Sequence, residues 1–463
     1  MGSERVTGQP FDEDRDEAGT PRYGYDRMLD ALRGADLDGL TRAVQRHLAD
    51  HRVRFGTEPF VVDPIPRLIA GDEWNELERG LAQRSRALNH FLADVYSHRA
   101  IVQAGIVSDA VIDGAEGYEP DLAGRAPASP PAAAIIGFDL VRDPSGAFLV
   151  LEDNLRTPSG YAYLLAAREA LEATLPSGMP VPRSIDPTIY DLLGATLRAA
   201  APAASGNDPV IVLLTDGAGN VAYYEHSRAA ARLGIPLVTL DDLAADGDGL
   251  NARLPDGSVT SVDVVYRRTD EDRVRDERQR LTRVAQMLVE PWLNGKIGLI
   301  NAFGNGVADD KLVHSHVEDF VRFYLGEEPL VRSVPTLALE SGQARREAVG
   351  RLKELVIKPR HGHGGTGVTI GSHVDDAELE RVADEVSEHG ERYVAQPIVP
   401  LSRHPTVIEG RLEPRHVDLR PFAFFADEVA LAPGGLSRVA FDAGEMVVNS
   451  SRNGGGKDTW VLD

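Results

Sequence analysis

The sequence carries a lysine next to a glycine-rich loop, in the stretch from residue 355 to residue 371. Lys358 closes an apolar run of strand-forming residues, and Pro359 prevents a helix from following directly. The loop glycines are Gly362, Gly364, Gly365 and Gly367. Glycines bring backbone N–H groups close to an anion and the lysine adds a positive charge, so the stretch suits a nucleotide triphosphate. No Lys-Ser or Lys-Thr pair follows the glycines, which excludes a P-loop, and a glycine-rich hairpin with an incidental lysine is the alternative interpretation.

A second chemical feature is an acidic hairpin predicted over residues 135 to 154, where two apolar strands flank an Asp-Pro-Ser-Gly turn. A turn centred on the proline and serine puts Asp139 opposite Val150, with Glu152 as its diagonal neighbour at about 7–8 Å. Asn154 points to the same face as Glu152. Two carboxylates and an amide on one patch suit Mg²⁺, although a solvated polar face of a hairpin is the alternative.

The composition of the chain excludes several classes of protein function. The chain has 463 residues, of which 42% are hydrophobic and 26% are charged, as in ordinary globular proteins. Its net charge of −23 argues against a general nucleic-acid or membrane-surface binder, whose surface is basic. The absence of cysteine excludes disulfides, thiolate metal sites and cysteine nucleophiles. No apolar run has the length of a membrane span and the acidic start lacks a signal-peptide core, so a cytoplasmic protein is expected.

The order of predicted elements divides the chain into five segments. Alternating strands and helices from residue 209 to residue 310 predict a small doubly wound α/β unit, within a chain of mixed α+β and α/β class. The absence of a G-x-G-x-x-G pattern excludes a Rossmann cofactor site there. The predicted segments are a flexible lead (1–20), a mainly helical region (21–130), a hairpin with helices (131–205), the α/β unit (206–308) and the part with the glycine-rich loop (309–463).

Apolar spacing predicts helices from Asp72 to Tyr96, from Asp272 to Leu288 and from Lys311 through Tyr324. His314 and His316 lie two residues apart, which is a poor spacing for one helix face. We therefore interpret both histidines as surface residues and not as metal ligands.

Five polar residues of the α/β unit are candidates for lining a substrate pocket: Tyr224, Glu225, His226, Arg267 and Arg268. Each also fits ordinary helix-start or strand-end chemistry, and their roles stay open. Thr157 or Ser159 is predicted to cap a helix that begins near Tyr161.

Taken together, these stretches resemble the ATP-grasp superfamily, in which two α+β lobes hold ATP between sheets and a glycine loop closes over the phosphates. The resemblance is carried by Asp310-Lys311, LVIKP with HGHGGTG, YVAQPIV, DLRPFAFF, SRVAF, NSSRNGGG and GFDLVRDPSGAFLVLEDN. In the usual order, the hairpin with Glu-x-Asn lies close to the carboxyl end of the unit, whereas here it precedes the glycine loop. A circular permutation explains this order. The chain from residue 20 to its end resembles the circularly permuted ATP-grasp family related to glutathionylspermidine synthase.

The resemblance implies roles for individual residues. Lys311 and Lys358 would contact the α- and β-phosphates. The covering loop would comprise His361, Gly362, His363, Gly364, Gly365, Thr366 and Gly367. The adenine would lie near Gln396, Pro397 and Ile398, where many family members have a glutamate in place of Gln396. One or two Mg²⁺ ions would be held by Asp139, Glu152 and Asn154. Catalytic stabilisation of the transferring phosphoryl group would come from Arg420 and Arg438, with Arg156 as a weaker candidate.

The implied activity is an ATP-dependent carboxylate–amine ligase that works through an acyl phosphate and releases ADP and phosphate. A phosphotransferase on the same fold and a non-catalytic ATP-binding protein are the alternatives. The expected substrates are a small-molecule or peptide carboxylate and an amine, with no nucleic-acid or membrane partner.

Overall fold

A computed structural model describes residues 8–125, 131–362, 367–445 and 454–463. Within these ranges the helices are α1 (Tyr25–Ala31), α2 (Leu37–Asp50), α3 (Gly71–Val95), α4 (Ala100–Gln103), α5 (Asp109–Asp113), α6 (Tyr161–Thr174), α7 (Asp186–Ala199), α8 (Tyr223–Leu233), α9 (Arg283–Leu293), α10 (Lys311–His314), α11 (Val317–Phe320), α12 (Gly342–Val349) and α13 (Asp376–His389).

The strands in the same ranges are β1 (Arg54–Phe55), β2 (Glu58–Pro59), β3 (Arg67–Ala70), β4 (Ile135–Arg142), β5 (Phe148–Asn154), β6 (Ile211–Thr215), β7 (Leu237–Val238), β8 (Leu243–Asp246), β9 (Gly249–Arg253), β10 (Val259–Ser261), β11 (Val264–Arg268), β12 (Gly298–Ile300), β13 (Arg332–Ser333), β14 (Leu337–Ala338), β15 (Leu355–Pro359), β16 (Thr369–Ile370), β17 (Tyr393–Pro397), β18 (Arg403–Ile408), β19 (Arg411–His416), β20 (Phe422–Phe425), β21 (Val429–Leu431), β22 (Leu436–Ala440) and β23 (Gly454–Leu462).

The central sheet has the strand order β13-β5-β4-β20-β21. Strands β4 and β5 form the predicted antiparallel hairpin, and β20 pairs with the other edge of β4. Every residue of β4 is buried, because neighbouring elements cover both faces of this strand. The long helix α3 contacts β20 and β21 and buries Trp74, Leu81, Leu88 and Phe91 along one face.

A second sheet, the loop sheet, has the order β14-β17-β15-β16. Its strands β15 and β16 are joined by the glycine-rich loop and pair antiparallel, with Val356 opposite Ile370. Leu355 and Ile357 of β15 pack against Val382 and Val386 of α13 in a small separate core. The two strands that the sequence predicts, one before and one after the glycine-rich loop, are therefore both present.

The parallel sheet, of order β12-β11-β6-β7, confirms the α/β unit predicted between residues 209 and 310. The predicted helix from Asp272 to Leu288 is wrong in its first half, since α9 begins only at Arg283. The Asp276 carboxylate accepts hydrogen bonds from the backbone N–H groups of Arg278 and Arg280. This local turn competes with the helix, which starts instead behind the Thr282 N-cap.

The C-terminal strand β23 lies between β22 and β3 and pairs parallel with β3. This third sheet, the closing sheet, ties the end of the chain to its N-terminal region. Among the helices described by the structure, none has the length and apolar character needed to cross a membrane.

The predicted helix from Lys311 through Tyr324 is divided into α10, α11 and a π-helical turn over Val321–Leu325. The Ser315 hydroxyl donates to the carbonyl of Leu312 at 2.6 Å, a back-bond that interrupts helices. His314, interpreted above as a surface residue, is buried, whereas His316 is partly exposed.

Candidate functional site

A cavity of about 930 Å³ lies where the central sheet, the loop sheet and the carboxyl edge of the parallel sheet meet. Its lining includes the sequence-predicted candidates Asp139, Glu152, Asn154, Arg156, Lys311, Lys358, His361, Gly362, Gln396, Pro397, Ile398, Arg420 and Arg438. Tertiary structure thus brings one set of residues together from both ends of the chain.

The hairpin register differs from the predicted one. Asp139 lies directly opposite Glu152, and a β-bulge then puts Leu140 opposite Val150. The bulge leaves Leu151 as an extra residue on β5, so Glu152 is the direct neighbour of Asp139 and not its diagonal neighbour. The bulge therefore brings the two carboxylate-bearing residues into direct cross-strand pairing, which the turn alone does not predict.

Asp139 is bound by both candidate catalytic arginines. Arg420 donates from Nε and Nη2 to the two carboxylate oxygens at 2.6 and 2.8 Å, and Arg438 Nη2 donates to Oδ2 at 2.8 Å. Burial alone would raise the pKa of Asp139, but the charges of the two arginines hold this pKa below its ordinary value. Asp139 stays ionised and orients both guanidinium groups.

Arg438 is held a second time by Asp418, which precedes β20 two residues before Arg420. The Asp418 carboxylate accepts from the backbone N–H of Arg438 at 3.0 Å and from its Nε at 2.7 Å. Among the described residues, Nη1 of Arg438 has no acceptor, so this edge of the guanidinium is available to a ligand.

Lys358 lies at the end of β15, across the cavity from the hairpin. Its Nζ is 3.5 Å from Oε1 of Glu152, which is 31% exposed to the cavity. Burial lowers the pKa of Lys358, because desolvation penalises its charged form more than Glu152 stabilises it. The ammonium group borders the cavity, where a bound anionic ligand would stabilise its charged form.

The described ends of the glycine-rich loop have the backbone that the sequence predicts. Gly362 has φ 108° and Gly367 has φ 74°, both in the region that favours glycine. A Cβ on Gly367 would also lie 2.8 Å from Cγ of Pro359. Lys311 Nζ donates to the carbonyl of Gly362 at 2.9 Å, which ties α10 to the loop. The predicted contacts of His363, Gly364, Gly365 and Thr366 lie outside the described residues.

The segment proposed to lie near adenine borders the cavity from β17. Gln396 pairs with Val356 in the loop sheet, and its Nε2 donates to Thr336 Oγ1 at 2.8 Å. Its Oε1 is buried without a hydrogen-bond partner among the described residues. The Ile398 N–H donates to the carbonyl of Glu354 at 3.0 Å.

The donor set of the hairpin fits a magnesium ion that takes most of its ligands from phosphate and water. The Asn154 amide has no hydrogen-bond partner in the described part of the chain, so its Oδ1 is free to ligate a cation, and Glu152 is partly exposed to the cavity. Both oxygens of Asp139 already accept arginine hydrogen bonds. No group of three or more His, Asp or Glu side chains within the described ranges forms a metal cluster of its own. Glu152 and Asn154 are thus the better-placed ligands, with Asp139 engaged by cations.

Arg156 is less available than predicted. It forms a two-bond ion pair with Asp272, in which Nη2 donates to Oδ1 at 2.8 Å, and the side chain is 38% exposed. The Asp272 hydrogen bond dominates and raises the pKa of Arg156. The arginine therefore joins the hairpin to the parallel-sheet unit, with its charge neutralised.

Two of the five open candidates from the α/β unit, His226 and Arg268, line the cavity, while Tyr224, Glu225 and Arg267 do not. Arg267 is buried and donates to the backbone carbonyls of Asn301 and Asp272 at 3.3 and 3.1 Å.

Glu225 caps α6 from another element. Its Oε2 accepts from the N–H groups of Gly160 and Ala162 at 2.8 and 3.1 Å, so the predicted capping by Thr157 or Ser159 is wrong. Arg268 donates to Oε1 of Glu225 at 2.9 Å.

Sequence reasoning missed a buried network behind the hairpin. Arg84 on α3 donates from Nε and Nη2 to the two oxygens of Asp153, both at 2.7 Å. His314 Nδ1 lies 2.7 Å from Oδ2 of the same carboxylate. Arg84 stands within an otherwise apolar helix face, and this pattern indicates that it needs a buried partner. The local sequence does not show which residue that partner is.

Comparison with known proteins agrees with this geometry. The model of the family "circularly permuted ATP-grasp type 2" matches residues 66–440. An uncharacterized protein of Synechocystis sp. is 42% identical over 409 residues, which are 87% of this chain and 84% of that protein. An uncharacterized protein of Mycobacterium tuberculosis is 38% identical, over 99% of this chain and 85% of that protein.

A protein of Frankia alni, provisionally named a glutamate–cysteine ligase, is 39% identical over 99% of this chain, which spans only 54% of that relative. A solved glutathione synthetase-like effector from Globodera pallida, in its apo form, shares the fold with a TM-score of 0.56. It is 12% identical, and the match covers 92% of this chain and 97% of that one. The chain belongs to the circularly permuted ATP-grasp family.

Proposed function

We propose that this protein is an ATP-dependent ligase that joins a carboxylate to an amine through an acyl phosphate and releases ADP and phosphate. The observation that carries the proposal is the meeting, in one cavity, of Lys358 from the loop sheet with Arg420 and Arg438 beside the acidic hairpin. Phosphoryl transfer needs mainly positioning and charge neutralisation, and this arrangement supplies both. ATP is the phosphoryl donor that family membership favours.

The first step is attack by a carboxylate oxygen of the acid substrate on the γ-phosphorus. A new O–P bond forms, the bond to the β-phosphate oxygen breaks, and ADP leaves. Lys311 and Lys358 would bind the phosphates of ATP. Arg438, whose Nη1 is unused by protein acceptors in the described ranges, would donate to the oxygens of the phosphoryl group in transfer.

The second step is attack by the neutral amine nitrogen on the acyl carbon. A C–N bond forms, the C–O bond to phosphate breaks, and the departing phosphate takes up the proton that the amine nitrogen loses. Arg420 and Arg438 would stabilise the negative charge on the acyl phosphate and on the departing phosphate. A magnesium ion held by Glu152 and Asn154 would neutralise phosphate charge when bound.

The relatives support the class of reaction and leave the substrates open. The Frankia alni relative carries a ligase name, but that name describes a protein about twice as long as the matched region. Glutamate and cysteine are therefore test substrates here and not assigned ones.

The test is an incubation of the purified chain with ATP, magnesium and pooled acids and amines, followed by measurement of ADP and phosphate. We expect release only when an acid and an amine are both present, and hydroxylamine in place of the amine should give a hydroxamate. Release of AMP and pyrophosphate would contradict the mechanism, and a phosphorylated product formed without an amine would establish a phosphotransferase instead.

A matched pair of variants controls this assay. Lys358→Met should slow ADP release by at least about 10²-fold, because it removes a buried cation of the cavity. Lys353→Met should leave the rate unchanged, since this lysine lies just before the same sheet but is 69% exposed and paired with Asp376. Equal loss in both variants would mean that the assay follows protein damage and not the site.

A further inference from the structure

One end of the cavity has a different chemistry from the phosphate-binding centre. We call it the aromatic end and define it by Phe55, Phe60, Tyr163, His226, Arg268 and Asp270. The Tyr163 ring lies 4.9 Å from the Phe60 ring and 5.8 Å from the Phe55 ring, measured between centroids. These three rings form an apolar wall next to the carboxyl edge of the parallel sheet, where ligands commonly bind in α/β units.

The arginines at or beside the aromatic end are neutralised by the protein. Arg268 donates to Glu225 at 2.9 Å and to the carbonyl of Pro158 at 2.6 Å. Arg156, which lies beside this end, is paired with Asp272. In contrast, the centre of the cavity presents Lys358 and the free edge of Arg438. A substrate carboxylate is therefore drawn to the centre of the cavity and gains nothing at the aromatic end.

Two polar groups of the aromatic end are left for a ligand. His226 is 2% exposed, its Nδ1 is paired with Thr215 Oγ1 at 2.9 Å, and its Nε2 has no partner in the described ranges. Burial, with help from the charge of Arg268, lowers the pKa of His226 to about 2, so the ring is neutral.

Asp270 is exposed and accepts one hydrogen bond from Asn220 at 3.0 Å. Within the described residues it has no cationic partner. The aromatic end thus combines apolar rings, a neutral imidazole and an unpaired carboxylate.

We propose that the aromatic end binds the amine substrate, which arrives as a cation with an apolar, preferably aromatic body and without a carboxylate of its own. Aromatic faces and an unpaired carboxylate both attract an ammonium group. A substrate carboxylate at this end would be repelled by Asp270 and would find no unpaired cation to bind. This inference rests on the proposed ligase function. It specifies a class of amine substrate that membership of the family does not by itself specify.

The first experiment compares amines at a fixed acid substrate and saturating ATP, with ADP release as the readout. Phenylalaninamide is the reference, phenylalanine adds a carboxylate, glycinamide lacks the aromatic body, and glutamate carries an additional negative charge. We expect kcat/KM to be at least about tenfold higher for phenylalaninamide than for each of the other three, a difference typical of one satisfied apolar or ionic contact. Equal or higher values for phenylalanine, glutamate or glycinamide would overturn the proposal.

The second experiment uses two opposite charges at one exposed position. Val221 lines the cavity and is 51% exposed, so Val221→Lys and Val221→Glu should both fold and introduce similar bulk. For phenylalaninamide we expect KM to be about threefold to fivefold higher in the lysine variant than in the glutamate variant, as for an exposed ion pair. The KM for ATP should be the same in both.

The two variants also separate the possible failures. If no amine in any protein stimulates ADP release, the ligase function itself is refuted. If amines are used but the lysine and glutamate variants share one KM for phenylalaninamide, only the assignment of the aromatic end is wrong. A change in the KM for ATP of the same size would show a general field effect and would also overturn the assignment.

Discussion

Asp153 offers the sharpest test of how the acidic hairpin is held in place. Its carboxylate is fully buried and accepts two hydrogen bonds from Arg84 and one from His314. Asp153→Asn removes the charge but keeps the size, which leaves the Arg84 guanidinium buried without a counter-ion. Breaking one side of a buried ion pair costs about 3–5 kcal/mol, and we expect this loss in the free energy of unfolding.

The double variant Arg84→Met with Asp153→Leu separates charge from packing. Both charges are then gone, and the remaining cost is the lost acceptor for His314, which is about 1–3 kcal/mol for an unsatisfied buried group. We therefore expect the double variant to be more stable than Asp153→Asn alone. Urea unfolding can be followed by tryptophan fluorescence, to which Trp74, buried on the same helix as Arg84, contributes.

The loss also has a defined pH dependence. Burial alone would raise the pKa of Asp153, but Arg84 holds this pKa below its ordinary value. A carboxylate with a lowered folded-state pKa stabilises the protein above its unfolded pKa of about 4, and this stabilisation disappears as the pH falls. The difference between wild type and Asp153→Asn should be constant from about pH 8 to about pH 5 and shrink below about pH 4. A double variant no more stable than the single one, or a difference that grows in acid, would refute the ion-pair explanation.

Three further predictions concern the cavity. Lys358→Met should lower kcat/KM for ATP by about 10²–10³-fold with an unchanged circular dichroism spectrum, since a preorganised charge is lost, and Lys353→Met should not. Asp418→Asn should lower kcat of ADP release about tenfold with little change in the KM for ATP, because Arg438 loses its fixed orientation; a change in KM alone would argue against this role. Glu152→Gln should raise the magnesium concentration for half-maximal ADP release by about tenfold, and an unchanged magnesium titration would exclude Glu152 as a ligand.

Local chemistry made part of this site predictable. The hairpin follows from two apolar strands around an Asp-Pro-Ser-Gly turn, and β15 with its loop follows from a strand run that ends in glycines. The motif order also indicated a circular permutation, in agreement with the family model. The hairpin and the strand before the loop depend on neighbours in the sequence, so the sequence alone determines them.

Other features depend on which groups meet after folding. Asp139 and Arg420 are 281 positions apart, and Asp153 and His314 are 161 apart. The sequence shows that these side chains carry charge or can hydrogen-bond, but it does not show which pairs are buried together. His314 was misinterpreted for this reason: its spacing in the helix suggested the surface, while an internal carboxylate on another element holds it in the core.

The sequence by itself determined the fold family, the main strands of the site and the residue types that line the cavity. The tertiary structure decided the bulge that sets Asp139 against Glu152, the pairing of Arg156 with Asp272 and the neutralisation of Arg268 by Glu225. The physical reason is that strand periodicity and turn preference act over a few residues, whereas the desolvation of a charge depends on every element packed around it.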